Sequence, residues 1–167
     1  KRISETLCSD YKRIHNLDIR IIRIFNTYGP RMQPNDGRVV SNFISQAIKG
    51  DSLTIYGSGE QTRSFCFVDD LIEGMVKLME SDICTPINIG NPSPITILQL
   101  AEIIRNKINP EIDFVFKPLP QDDPLQREPN IEKATRELNW KPYISFEKGL
   151  EETISWFKKK YDQKYFQ

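Results

Sequence analysis

Short β-branched runs alternating with helical periodicity constrain this chain more than any other feature. Residues 19–25 read Ile-Arg-Ile-Ile-Arg-Ile-Phe and lead into the turn formers Asn26-Thr27-Tyr28-Gly29-Pro30, which predicts a buried strand ending in a loop. Ahead of it, Ile3, Leu7, Tyr11 and Ile14 recur every three to four residues across 1–15. That is the spacing of a helix with one buried stripe, ended by Asn16. A second helix is predicted over 39–49 from Val39, Val40, Phe43, Ile44, Ala47 and Ile48, with Gly50 as its C-cap.

Residues 53–56 and 63–68 predict two strands around the turn Gly57-Ser58-Gly59, paired as a hairpin or strand pair. Asp69 is placed to cap a helix running through 80, residues 86–90 form a short strand, and Thr96 caps a further helix containing Leu98, Leu100, Ala101, Ile103 and Ile104. A strand over 114–116 precedes a loop in which Pro118, Pro120, Pro124 and Pro129 forbid regular structure. Helices over 131–138 and 146–161 close the chain, joined by Asn139-Trp140-Lys141-Pro142. Strands alternate with helices throughout, so the class is α/β.

The 167 residues can bury one real core. Because 23 basic residues cancel 23 acidic ones, no overall field draws the protein to nucleic acid or to an anionic membrane, and any anion must be held locally. No apolar run reaches the roughly 18 residues of a membrane span. Cys8, Cys66 and Cys84 are odd in number and lack His or Cys neighbours at ligand spacing, so they predict buried thiols in a reducing compartment rather than disulfides or a metal site. A chain that opens at Lys1, without Met and inside an amphipathic helix, is expected to be a piece of a longer protein.

Ligands in α/β proteins lie at the carboxyl ends of strands, which directs attention first to residues 26–38. Arg31, Arg38, Arg63 and Arg127 stand in or beside loops marked by Gly or Pro, and guanidinium forks pair bidentately with phosphate or carboxylate at any working pH. Each also fits a solvated surface residue, and spacing alone does not choose. Gly57-Ser58-Gly59 reads as a tight turn, since it lacks both the Lys-Ser/Thr of a phosphate loop and the third Gly of a dinucleotide fingerprint. His15, the single histidine, has no nucleophilic partner placed by sequence. Asp69-Asp70 reads as a helix cap and Asp122-Asp123 as turn formers. Tyr11, Phe25, Phe43, Phe65, Trp140 and Trp156 read mostly as core.

The string Arg23-Ile24-Phe25-Asn26-Thr27-Tyr28-Gly29-Pro30-Arg31 resembles the segment that follows the catalytic helix in extended short-chain dehydrogenases acting on nucleotide sugars, the NAD-dependent epimerase/dehydratase family. Matches continue through Ile55-Tyr56-Gly57-Ser58-Gly59-Glu60-Gln61-Thr62-Arg63, Phe67-Val68-Asp69-Asp70-Leu71, Ile87-Asn88-Ile89-Gly90-Asn91 and Leu138-Asn139-Trp140-Lys141-Pro142. Within the family, Asn35-Asp36-Gly37-Arg38-Val39-Val40-Ser41-Asn42-Phe43 and Gln121-Asp122-Asp123-Pro124-Leu125-Gln126-Arg127-Glu128-Pro129 most resemble members that decarboxylate UDP-glucuronate to UDP-xylose, with dTDP-glucose 4,6-dehydratases and 4-epimerases as neighbours.

The resemblance implies the C-terminal part of a Rossmann-type doubly wound sheet (residues 1–30) plus a small mixed α/β sugar-nucleotide-binding region (31–167). It implies NAD as cofactor and a UDP-sugar as substrate. Lys1 would be the lysine of the family's Tyr-x-x-x-Lys pair, with Phe25 and Thr27 lining the nicotinamide. Asn26 and Arg63 would bind the diphosphate, Arg38 would contact the substrate, and Val40, Asn42 and Tyr56 would frame the nucleoside. Arg127 would sit beside the reacting sugar with a catalytic role. The family also implies a homodimer formed through the helix that begins at Lys1. The reducing compartment read from the thiols is the cytoplasm, with a lumenal location as the alternative for a membrane-anchored parent. The fragment alone is expected to be inactive. A non-catalytic nucleotide-binding module is the competing reading of another class.

Overall fold

The computed structural model describes residues 1–34, 36–121 and 124–165, with side chains described through Asp162. Helix α1 (Arg2–His15) ends at Asn16, whose left-handed backbone (φ 53°) stops the turn. It leads to β1 (Ile22–Ile24) and β2 (Thr27–Tyr28). Helix α2 (Val39–Lys49) buries Val40, Phe43, Ile44 and Ala47 along one face. Gly50 (φ 77°) closes it: its N–H donates to the Ala47 carbonyl and the Asp51 N–H to the Gln46 carbonyl, satisfying two carbonyls that a helix end leaves open.

Strands β3 (Leu53–Tyr56), β4 (Thr62–Ser64) and β5 (Cys66–Phe67) precede α3 (Val68–Met79). The hairpin expected of β3 and β4 does not form. Both glycines of the Gly57-Ser58-Gly59 turn take positive φ, and β3 instead pairs in parallel with β8 (Phe114–Lys117). β4 pairs antiparallel with β7 (Pro94–Thr96) and parallel with β9 (Gln126–Arg127). The proline-rich loop therefore does contain a strand, if only of two residues. The strand expected over 63–68 is broken at Phe65, where the chain leaves β4 and β5 begins, pairing in parallel with β2.

β6 (Ile87–Ile89) pairs in parallel with β1. Helix α4 (Ile97–Ile108) starts as expected at Thr96, whose Oγ1 accepts the Gln99 N–H at 3.0 Å while Gln99 Oε1 accepts the Thr96 N–H at 2.9 Å, a reciprocal cap. Helices α5 (Glu132–Leu138) and α6 (Phe146–Tyr165) complete the chain.

Two apolar clusters hold these elements. One joins α2, β3, α4 and α6 through Phe43, Ile44, Leu53, Ile55, Leu100, Ile104 and Phe157. The other joins β6, α3 and α5, with the turn that follows α5, through Ile87, Ile89, Leu71, Leu78, Ala134, Leu138 and Trp140. At roughly 1.5–3 kcal/mol for each large apolar side chain removed from water, these clusters dominate the stability of the fold.

Asp69 does not cap α3. The helix starts one residue earlier, behind Phe67, and has no side-chain cap. Its neighbour Asp70 is fully buried and accepts the backbone N–H groups of Tyr143 and Ile144, each at 3.2 Å, while its carbonyl accepts the Trp140 indole N–H at 3.0 Å. Burial pushes this carboxyl above its ordinary pKa. Cys66 is buried and its thiol is pushed up to about 12, chiefly by desolvation. Cys8 and Cys84, expected to be buried, are half-exposed. The Asp122-Asp123 turn lies outside the described residues.

The stripe on α1 is not buried: Ile3, Leu7, Tyr11 and Ile14 are 53–77% exposed. What ties α1 to β1 is a bidentate pair, Arg23 Nε and Nη2 donating to the two Glu5 carboxylate oxygens at 2.7 and 2.6 Å. That bond holds the Glu5 carboxyl below its usual range.

Candidate active site

One cavity of about 1270 Å3 lies among the C-terminal end of β1, β2, the start of α2, β3, β4 and β9. Every site residue expected from the sequence lines it: Lys1, Phe25, Asn26, Thr27, Arg38, Val40, Asn42, Tyr56, Arg63 and Arg127. Arg31, the remaining loop arginine, does not; it is exposed on a left-handed turn (φ 71°).

Local structure explains the convergence. β1 delivers Phe25 and Asn26 as it ends, and the Asn26 carbonyl accepts the Cys66 N–H at 2.9 Å, fixing the strand exit against β5. Arg38 is the N-cap position of α2, with its N–H donating to Asp36 Oδ1 at 3.0 Å and its guanidinium 3.6 Å from Asp36 Oδ2. Arg38, Val39, Val40 and Asn42 thus bring the start of α2 to the cavity wall. Arg63 and Arg127 are register partners in the β4–β9 pair. Arg63 is only 6% exposed, and its Nη1 donates to the Thr62 carbonyl at 2.8 Å.

Among the polar lining residues that the sequence does not single out are Gln46, Gln61 and Lys117. β3 has one edge on β8 and the other on the cavity, and side chains complete the second edge. The Thr54 N–H donates to Gln46 Oε1 at 3.2 Å, Gln46 Nε2 donates to Thr54 Oγ1 at 3.1 Å, and Gln61 Nε2 donates to the Tyr56 carbonyl at 2.8 Å. Gln46 falls one turn after Asn42 on α2, a spacing that could have found it. Lys117 faces Tyr56 only through the β3–β8 pairing, which nothing local signals.

The electrostatics of the lining are one-sided. Lys1, Arg38, Arg63, Lys117 and Arg127 are cationic, and among the described residues no carboxylate lines the cavity. In a chain with 23 basic and 23 acidic residues, this local concentration of cations suits a multiply charged anion. His15 lies at the exposed end of α1 against Tyr11, away from the cavity.

Residues 1–90 match the model of the NAD dependent epimerase/dehydratase family, and the chain belongs to that family. It is 52% identical over 158 residues to UDP-glucuronic acid decarboxylase 1 of Arabidopsis thaliana, covering 95% of this chain and 36% of that protein. It is 48% identical to UDP-glucuronic acid decarboxylase 1 of Xenopus tropicalis, covering 95% of this chain and 38% of that protein. Among solved structures, UDP-glucose 4-epimerase from Thermotoga maritima, in complex with UDP-glucose, superposes with a TM-score of 0.93 at 29% identity, over 96% of this chain and 52% of that one. UDP-glucuronic acid 4-epimerase from Bacillus cereus, in complex with UDP-glucuronic acid and NAD, gives 0.86 at 31% identity, over 94% and 50%. The chain thus spans about two fifths of the length of the curated relatives and about half of the solved structures. No helix among the described residues is long and apolar enough to cross a membrane.

Proposed function

We propose that the chain is the substrate-holding part of an NAD-dependent enzyme that decarboxylates UDP-glucuronate to UDP-xylose. The observation that carries this reading is the five-cation lining without a described carboxylate. UDP-glucuronate brings a diphosphate and a carboxylate, and desolvating those charges demands fixed positive partners.

Asn26 and Arg63 hold the diphosphate beside the first turn of α2, while Val40, Asn42 and Tyr56 frame the nucleoside. Arg38 contacts the substrate from the N-cap of α2. Lys1, Phe25 and Thr27, on α1 and the β1–β2 segment, fit the nicotinamide end of the cofactor. When bound, NAD would supply a hydride acceptor for oxidation at sugar C4 and the hydride donor for re-reduction there once CO2 is lost from C5. Arg127 lies beside the sugar, where it pairs with the carboxylate and then stabilises the enolate left by CO2 loss. The exposed α1 stripe supports a homodimer through this helix, because apolar rows of that length are ordinarily covered. Three free cysteines, two of them half-exposed, support a reducing compartment such as the cytoplasm.

Arg127→Ala in the full-length protein tests the role given to that residue. The account expects UDP-glucuronate turnover to fall by about 100-fold or more, as for other charge-stabilising groups, with UDP binding little changed. Unchanged kcat and KM remove Arg127 from the mechanism.

A further inference from the structure

The geometry points to Gln46 as the residue that reads the base of the nucleotide, admitting uracil or thymine and rejecting cytosine; this rests on the nucleotide-sugar reading above. Gln46 lines the cavity near Tyr56 and is bound at one edge to β3. A side-chain amide can ordinarily turn over and exchange its oxygen and nitrogen. This one is held, because the Thr54 backbone N–H can only donate and therefore fixes Oε1 on its side at 3.2 Å, with Nε2 directed to Thr54 Oγ1 at 3.1 Å.

Once those bonds are made, the amide retains one acceptor lone pair on Oε1 and one N–H on Nε2. A donor beside an acceptor, in one plane and in fixed order, complements the imide edge of uracil or thymine: base N3–H donates to Oε1, and a base carbonyl accepts from Nε2. Cytosine carries no hydrogen on N3 and an amino group at C4, so it offers the reversed pattern at that edge. To accept it, Gln46 would have to turn over and set its NH2 against the Thr54 N–H. The discrimination therefore comes from the strand edge behind the amide as much as from the amide. The C5 methyl of thymine is not read by this contact.

The test uses the full-length protein and equilibrium titration with UDP, dTDP and CDP. The wild type is expected to bind UDP and dTDP about tenfold or more tightly than CDP, the cost of a mispaired buried donor and acceptor. Gln46→Met removes the reader and should bring the three within about threefold of one another, the scale of losing a net hydrogen bond. Gln46→Glu keeps acceptors for both Thr54 groups, so the α2–β3 contact survives if Met disturbs it, yet it has no N–H for a base carbonyl. It should weaken all three ligands through its charge and lower the UDP:CDP ratio below that of the wild type. Equal binding of UDP and CDP by the wild type, or an undiminished ratio in either variant, overturns the assignment of Gln46 while leaving the nucleotide-sugar reading intact. Failure of the wild type to bind any of the three overturns both.

Discussion

Replacing Asp70 with alanine is expected to lower stability by several times what an ordinary surface substitution costs. The variant keeps the backbone carbonyl that accepts from Trp140 but deletes both acceptors for the Tyr143 and Ile144 N–H groups. Two N–H groups left without partners in a poorly hydrated site cost about 2–5 kcal/mol in total. At roughly 2–4 °C per kcal/mol for a chain of this size, Tm falls by about 5–15 °C. Asp70→Asn retains one acceptor and should lose about half as much.

The pH dependence has a definite sign. Burial raises the folded pKa of Asp70 above 3.8, so the native state holds its proton to higher pH than the unfolded chain does. The stability contributed by this group is fully present below the unfolded pKa and is lost as pH rises through the folded value. Urea unfolding should therefore show a wild-type advantage over Asp70→Asn that narrows as pH rises above the ordinary carboxyl value of 3.8. An advantage that widens over that range would mean the two N–H bonds outweigh desolvation in setting this pKa.

Gly149→Ala is expected to destabilise the fold as well. α6 crosses the aromatic cluster so closely that a Cβ at 149 would stand 2.4 Å from Tyr28 Oη and 2.6 Å from Phe67 Cδ2. Neither ring has room to yield: Tyr28 and Phe67 are 1% and 2% exposed, and Tyr28 donates to the Phe146 carbonyl at 3.1 Å. Alanine's intrinsic helix advantage is about 0.5–1 kcal/mol, whereas overpacking costs about 1–3 kcal/mol and a broken buried hydrogen bond about 1 kcal/mol more. The clash wins, and a fall in Tm of several degrees is expected by calorimetry. Because Tyr28 adjoins Thr27 and packs edge-on against Phe65, both on the cavity wall, nucleotide affinity should weaken as well.

What could be read from the chain was what local chemistry encodes. Gly50 ends α2 and Thr96 opens α4 because a backbone terminus needs a cap within a few residues, and these residues are visible in order. Of the four loop arginines, Arg38, Arg63 and Arg127 line one cavity with Asn26 and Arg31 does not; strand ends gather in an α/β fold, but the spacing did not say which arginines would meet there.

Long-range pairing left no local trace. β3 meets β8 across more than fifty intervening residues, so Lys117 reached the cavity unforeseen and the expected hairpin did not form. Asp70 looked like one of two helix-capping acids because nothing in the sequence places Tyr143 and Ile144 against it. The α1 stripe shows a related gap: periodicity reports that a helix has an apolar face, not what covers it.

The central claim is tested most directly by incubating the full-length protein with NAD and UDP-glucuronate carrying a labelled C6 carboxyl. The account predicts labelled CO2 together with UDP-xylose and no net reduction of NAD. Retention of all the label in a UDP-uronic acid of inverted C4 configuration would contradict it, and would make the protein an epimerase that uses the same cationic cavity to hold its substrate.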